Sequence, residues 1–303
     1  MVNVEHLALL KRGLNLWTAW RTSHPEIEPE LNEANLKGVN LAGIDFKLAH
    51  LKGANLTQTQ LIGACLSQAN LSNANLHQAQ LQEADFHRAD LTGTNLSQAN
   101  LIGVNLSEAN LMSANLSYTN LQQGDLSRAN LISSNLTYAN LKQVDLSGAQ
   151  LRRANLRKAC LHYATVCDGN FNHANLHQAE LISAYLYRAN LYKTNLMEAH
   201  LNGAYLFHAN LIEANLIQAD FRFSNLSKAN LYHADARGAN FRGANLTQAN
   251  LEGVDLSYAN LRGANLHKAN LEGANLSHVD LSETELQGAI IPKGSRSEIG
   301  VKL

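Results

Sequence analysis

Residues 99–116 read ANLIGVNLSEANLMSANL, and a large aliphatic residue recurs in them at every fifth position. From Leu31 to Leu286 this position holds Leu or Phe in 50 of 52 repeats, the exceptions being Val166 and Ala236. Two residues earlier stands Ala in 36 of the 52 repeats, and Asn or Asp lies between the two in 39. The chain is therefore built from one pentapeptide, A-(N/D)-L-x-x, without a change of register.

A period of five fits neither a straight helix nor a straight strand. Five residues of an α-helix advance by about 500°, so the aliphatic stripe would wind around every side. In a flat strand, an odd period would turn successive Leu side chains to opposite faces. The pattern is satisfied when Ala and Leu point inward from a short extended piece and the two variable residues form a turn. The sequence thus predicts an all-β solenoid whose coils pair through backbone hydrogen bonds at about 4.8 Å spacing.

On these motifs the chain resembles the pentapeptide-repeat family, over about residues 31–290. The resemblance implies a right-handed quadrilateral β-helix with four repeats per coil, and hence about 13 coils from 52 repeats. Residues twenty apart would then stack in columns on one face. We predict a helical cap and lead-in at 1–30, the β-helix at 31–291 and a C-terminal tail at 292–303.

The two ends of the solenoid differ in sequence. Apolar residues at helical spacing within residues 3–22 predict a helix that covers the first coil, with a tryptophan binding site as the alternative: Leu7, Leu10, Leu14, Trp17 and Trp20. This segment also resembles the lead-in of cyanobacterial members of the family. At the other end Pro292 stops the repeat, and we expect residues 294–303 to be mobile. The last coil is expected to rely on the tail or on a second molecule.

Composition excludes several classes of protein. The formal net charge is −1 and the pI is near 6.9, which disfavours a nucleic-acid binder with a basic face. Cys65, Cys160 and Cys167 are too few to form a disulfide framework and indicate a reducing compartment. The chain has neither a long apolar run nor the pattern of a signal peptide. We therefore expect a cytoplasmic protein without a membrane span.

A candidate partner-binding surface follows from where the repeat is broken. The Asn/Asp position is altered in 13 of 52 repeats, and six of these lie between residues 160 and 205 on two adjoining columns. Aromatic and charged residues surround them. Such residues are typical of protein interfaces, whereas neutral drift of the repeat is the alternative. We name this set the interface patch: Cys160, Glu180, His200, Tyr185, Tyr205, Tyr187, Phe207, Arg188 and His208.

Chemical sites are not expected. Glu180 lies between Cys160 and His200, which would place nucleophile and base about 10 Å apart instead of in contact. A metal site formed by Cys160, His162, Cys167 and His173 is disfavoured because these side chains point from three faces. We predict no enzyme activity, no cofactor and no metal. Basic residues could bind an anion or an acidic partner, or they could be solvated charges: Arg152, Arg153, Arg157 and Lys158 on one coil, and Arg222, Arg242 and Arg262 in one column.

These observations favour a non-catalytic protein-interaction scaffold with a regulatory role and an unidentified protein partner. The alternative is a DNA mimic that binds a type II topoisomerase, a role implied by the quinolone-resistance branch of the family. That role requires a strongly negative surface, which the near-neutral charge disfavours. We expect a monomer, or a weak dimer through the C-terminal end.

Overall fold

The computed structural model describes residues 2–292, so the predicted mobile segment 294–303 lies outside the described residues. The chain divides into two compact units, Met1–Gln150 and Leu151–Leu303, which we call the N-terminal and the C-terminal unit. Two helices begin the N-terminal unit, α1 at Val4–Lys11 and α2 at Leu14–Ser23. In the described part of both units, the β structure consists of isolated parallel bridges and contains no longer strand.

The bridges join residues that are twenty positions apart. In the N-terminal unit they run from Glu30↔His50 to Asn130↔Gln150, and in the C-terminal unit the same spacing continues to Asn270↔Ile290. Each coil within a unit therefore contains four pentapeptides, which confirms the predicted β-helix-like fold. A bridge is one residue long because the chain turns directly after each Leu. The hand, the quadrilateral outline, the number of coils and a single domain at 31–291 stay predictions.

Backbone hydrogen bonds hold neighbouring coils together. In the repeat that begins at residue 94, Leu96 N–H donates to the carbonyl of Asn115 at 2.8 Å, and Gln98 N–H donates to that of Ser117 at 2.9 Å. The N–H of Ala99 closes the turn by donating to the carbonyl of Leu96 at 3.0 Å. The same pattern recurs along both units, so the backbone groups of the interior are paired as burial requires.

The turn has one fixed conformation. The second variable residue of every repeat from Glu33 to Gly288 has a positive φ, between 52° and 71°. β-Branched side chains are strongly disfavoured in this left-handed region, and no Val, Ile or Thr occupies the position. The residue before it is free of that restriction and is Ile132 or Thr137 in two examples. The absence of β-branched residues at this position therefore marks each corner of the coil in the sequence.

The inner positions form the core, as predicted. The Leu and Phe side chains of the repeats are buried from Leu31 to Leu271, and the Ala position is buried over the same span except at Val39, which is exposed. In the last described coil, by contrast, Leu276 and Leu281 are only half-buried. The C-terminal end therefore presents apolar residues that the same positions bury elsewhere.

The Asn of the repeat has two structural tasks. Asn95 Oδ1 accepts the backbone N–H of Ser97 at 3.1 Å, which fixes the start of the turn. The same oxygen accepts Asn115 Nδ2 from the next coil at 3.3 Å, and Asn115 Oδ1 accepts Asn135 Nδ2 at 3.2 Å. A ladder of amides therefore runs along the outside of the coils. This ladder explains why Asn is the commonest residue at the position.

The N-terminal helices cover the first coils. Trp17 is fully buried, its ring lies edge-on against Phe46 with centroids 5.4 Å apart, and its Nε1 donates to the carbonyl of Asp45 at 2.9 Å. Arg21 is also buried, donates to the carbonyl of Ile27 at 2.6 Å and pairs with Asp45 at 3.3 Å. These contacts support the capping role of Trp17 over the tryptophan binding site.

Two details of the predicted cap are wrong. Gly13, with φ of 116°, separates α1 from α2, so the expected single helix is two helices. Leu7 and Leu14, expected to cover the coil, are only half-buried, whereas His6 and Arg21 are buried. The Nδ1 of His6 accepts the backbone N–H of Glu30 at 3.0 Å, which ties α1 to the first coil.

We predict that Ser133→Val destabilises the protein by about 1–2 kcal/mol, because Ser133 has φ of 57° and a β-branched residue is strained there. The adjacent Ile132→Val is the matched control and should change the free energy of unfolding by less than half as much. Urea denaturation of both variants measures the difference. Equal effects of the two substitutions would contradict the assignment of the corner.

We also predict that acid weakens the cap. Burial lowers the pKa of His6 below its ordinary value of 6.5, against the opposing carboxylates of Glu30 and Glu5. The unfolded chain then binds the proton more readily, so the contribution of His6 is present above about pH 6.5 and is lost as the pH falls. The melting temperature of His6→Gln should decline less between pH 7 and pH 5 than that of the parent. The exposed His278→Gln should behave like the parent, and parallel declines in all three proteins would refute the assignment.

Candidate interaction surface

The C-terminal unit places Glu180 between Cys160 and His200. Parallel bridges join Cys160 to Glu180 and Glu180 to His200, in the order that the twenty-residue spacing predicts. Glu180 Oε2 lies 3.2 Å from His200 Nδ1 and 3.5 Å from His162 Nε2, while Cys160 is a free thiol. The carboxylate therefore contacts two imidazoles on one face. This arrangement separates the thiol from the His200 base, so it does not form a nucleophilic pair.

Four aromatic rings form the centre of the interface patch. Tyr185 and Tyr205 are bridged, and their ring centroids lie 6.4 Å apart. Tyr187 and Phe207 are stacked at 6.1 Å with nearly parallel planes, and Tyr205 lies 6.1 Å from Phe207. Tyr185 is 55% exposed and Tyr205 is 37% exposed. The rings thus form one continuous aromatic surface that solvent reaches.

Positive charges flank these rings. The guanidinium of Arg188 lies 5.9 Å from the centre of the Tyr187 ring, and Lys228 Nζ lies 5.6 Å from that of Phe207. The ring of His208 meets Phe207 edge-on at 4.4 Å. Together with Tyr187, Arg188 and His208 line a depression in the surface. The aromatic centre is therefore bordered by two cations, each within cation–π distance of a ring.

The structure groups the predicted residues into two clusters, one of rings with Arg188 and His208, the other of Cys160, Glu180 and His200. Sequence reasoning missed Lys228, which lies twenty residues after His208, and Asp168, which lies twenty before Arg188 and pairs with it at 3.1 Å. The twenty-residue spacing of the columns is the signal that would have identified both residues. That the patch binds a partner stays a prediction.

The patch replaces part of the amide ladder. Elsewhere in the C-terminal unit the ladder persists, since Asn175 Nδ2 donates to Asn155 Oδ1 at 3.3 Å and Asn195 Nδ2 to Asn175 Oδ1 at 3.1 Å. At Tyr185 and Tyr205 the same position carries phenol rings that reach solvent. The coils remain paired through their backbones there, so the change affects the outer surface and leaves the fold intact.

Two of the three members of the arginine column pair with neighbouring acids. Arg222 pairs with Asp220 at 2.7 Å, and Arg262 pairs with Glu283 at 2.8 Å. The hydrogen bond from Arg262 lowers the pKa of Glu283, so this carboxylate stays charged at neutral pH. The column therefore offers less positive charge to a partner than its sequence indicates.

Residues 2–292 contain neither a metal-binding cluster nor a membrane-spanning helix. No group of three His, Cys, Asp or Glu residues there is arranged to hold a metal ion. Neither helix in that span has the length and apolar character needed to cross a bilayer.

Comparison with known proteins gives the family of the chain. The family described as pentapeptide repeats matches in eight copies, which lie at residues 30–68, 69–108, 109–148, 134–172, 170–203, 204–243, 244–282 and 259–291. These matches cover the whole of the repeat region defined above. A comparison with curated proteins finds no match.

Three solved structures are similar to this chain. HetL, a pentapeptide repeat protein involved in heterocyst differentiation regulation in Nostoc sp. strain PCC 7120, is 35% identical over 80% of this chain and 90% of its own, with a TM-score of 0.29. Rfr23 from Cyanothece 51142 is 33% identical over 37% and 63%, with a TM-score of 0.20. QnrB1, a plasmid-mediated fluoroquinolone resistance protein, is 18% identical over 59% and 94%, with a TM-score of 0.38. By its repeats and their near-complete coverage, the chain belongs to the pentapeptide-repeat family.

Proposed function

We propose that this protein is a non-catalytic interaction scaffold with a regulatory role, and that a protein partner binds at the interface patch. The observation that carries the proposal is a continuous aromatic surface, in which the exposed Tyr185 and Tyr205 replace the Asn of the repeat and the half-buried Tyr187 and Phe207 lie beside them. Aromatic residues with adjacent arginines are the commonest energetic centres of protein interfaces. Members of the family are generally non-catalytic interaction proteins, which is consistent with this role.

The backbone beneath the patch favours tight recognition. The N–H of Tyr185 donates to the carbonyl of Ala164 at 2.9 Å, and that of Tyr205 donates to Ala184 at 2.9 Å. The backbones of both residues are therefore held in place before a partner arrives, and the stacked ring of Phe207 restricts the ring of Tyr205 further. A surface that is already ordered loses less conformational entropy on binding.

The finer features of the molecule belong to the same proposal. The repeats of both units form a right-handed quadrilateral β-helix, and the 52 repeats counted in fours give about 13 coils in total between residues 31 and 291. The protein is cytoplasmic, which its sparse free cysteines support. It is a monomer or a weak dimer through the C-terminal end, where the 55% exposed Ile290 and the half-buried Leu276 would be covered.

We predict that restoring the repeat at the patch abolishes partner binding without unfolding the protein. The variant combines Tyr185→Asn, Tyr205→Asn, Tyr187→Ser and Phe207→Ser, because Asn and Ser occupy these positions in neighbouring coils. Tagged parent and variant are incubated with an extract of the cells that naturally produce the protein, and captured proteins are quantified by mass spectrometry. One protein should be enriched by the parent and reduced at least about tenfold by the variant.

The matched control is Tyr118→Gln with Tyr138→Gln, which removes the stacked tyrosine pair of the N-terminal unit and restores the Gln of that column. It should capture the partner as the parent does. Capture that survives in the patch variant, or the absence of any specifically enriched protein, would exclude the interface patch as the binding surface.

The DNA-mimic alternative has its own test. Because the net charge is only −1 and the arginines Arg222, Arg237 and Arg262 pair with outward carboxylates, we expect no competition with DNA for a topoisomerase. The purified protein should leave the supercoiling activity of DNA gyrase unchanged, even in molar excess over the enzyme. Inhibition that rises with protein concentration would favour the mimic over the scaffold.

A further inference from the structure

We propose a second interaction surface, beyond the interface patch, at which an acidic segment of a protein partner binds. It is formed by four cations of the first coil of the C-terminal unit, Arg152, Arg153, Arg157 and Lys158, which we call the basic cluster. All four side chains are exposed.

The backbone places these cations in two pairs. Arg153 and Lys158 occupy the left-handed corner position, with φ of 59° and 56°, and Arg152 and Arg157 are the residues directly before them. Two successive corners of one coil therefore each carry two adjacent positive charges. Three extended residues separate the corners, so the pairs lie roughly 10 Å apart. A single side of the coil is thus bordered by cations at both ends.

The three arginines of the basic cluster lack the ion pairs that four other arginines form in the described part of this unit. Among the described residues of the C-terminal unit, Arg188, Arg222, Arg237 and Arg262 each form an ion pair, whereas Arg152, Arg153 and Arg157 form none. The acidic residues of this unit that precede Glu198 are engaged elsewhere. Asp168 pairs with Arg188 at 3.1 Å, and Glu180 contacts His200 at 3.2 Å.

The next coil adds no negative charge over the cluster. His173 and His177 lie twenty residues after Arg153 and Arg157, and the N–H of Lys158 donates to the carbonyl of His177 at 3.0 Å. Between the corners Asn155 Oδ1 accepts the N–H of Arg157 at 3.2 Å, which holds this side of the coil rigid. Adjacent like charges repel one another, so an external anion would be favoured here.

The shape of the cluster favours an acidic peptide over a nucleic acid. A polynucleotide needs a track of cations that continues along its backbone. Here the positive charges lie across a single coil. The columns of Lys158 and Arg153 contain acidic residues two and three coils further on, at Glu198 and Glu213. A short run of carboxylates matches the cluster in size, and guanidinium groups bind carboxylates in a bidentate manner.

The experiment measures binding of a fluorescent glutamate decapeptide to the full chain by anisotropy, with a glutamine–serine peptide of equal length as the neutral probe. The parent should bind the glutamate peptide and not the glutamine–serine peptide, and its affinity for the glutamate peptide should fall as ionic strength rises. Replacing the four cluster cations by Gln should weaken binding about tenfold or more. A matched variant loses the same charge on the N-terminal unit through Lys37→Gln, Lys47→Gln, Lys52→Gln and Lys142→Gln. Its affinity for the glutamate peptide should change less than about twofold.

The remaining outcomes decide between alternatives. Circular dichroism and the melting temperature verify that the cluster variant is folded, and Arg153→Gln with Arg157→Gln replaces it if it is not. The patch variant described above should still bind the glutamate peptide, because the two surfaces are independent. The proposal is overturned if the parent ignores the glutamate peptide, if the charge-matched control loses as much affinity as the cluster variant, or if an oligonucleotide of equal charge binds more tightly than the peptide.

Discussion

The left-handed backbone at the second variable residue of every repeat is the constraint on which this structure depends. It turns the chain after each Leu, so that Ala and Leu always face inward. It also returns the chain to the same column after twenty residues, where each coil finds backbone partners on the next. Side chains at the corners can vary widely, provided that they are not β-branched.

This division of tasks explains how the fold carries function. The inner Ala and Leu and the backbone bridges maintain the coil, so the outer positions are free to change without cost to the core. The Asn ladder is an outer feature with a structural role, and it gives way where Tyr185 and Tyr205 reach solvent. Function on such a scaffold resides in the side chains that stack along the columns.

Much of the fold was predictable because it is local and repeated. The period of five excluded helix and flat strand, and the positions of Ala and Leu defined the core. The cap was predicted in part: Trp17 was identified, but the division at Gly13 and the burial of His6 and Arg21 were not. These features depend on contacts with the first coils, as in the bond from Arg21 to the carbonyl of Ile27, and helical periodicity does not report such contacts.

The sequence alone determined the repeat, its inner face and the columns in which outer residues stack, because a strict period passes the same geometry from one coil to the next. The tertiary structure decided which charged residues are neutralised and which rings touch. Arg222 is paired and Arg153 is not, although both are exposed arginines in turn positions. Pairing depends on side-chain rotamers and on the residues present in adjoining coils. The period determines where each Cα atom lies, but it determines neither of these.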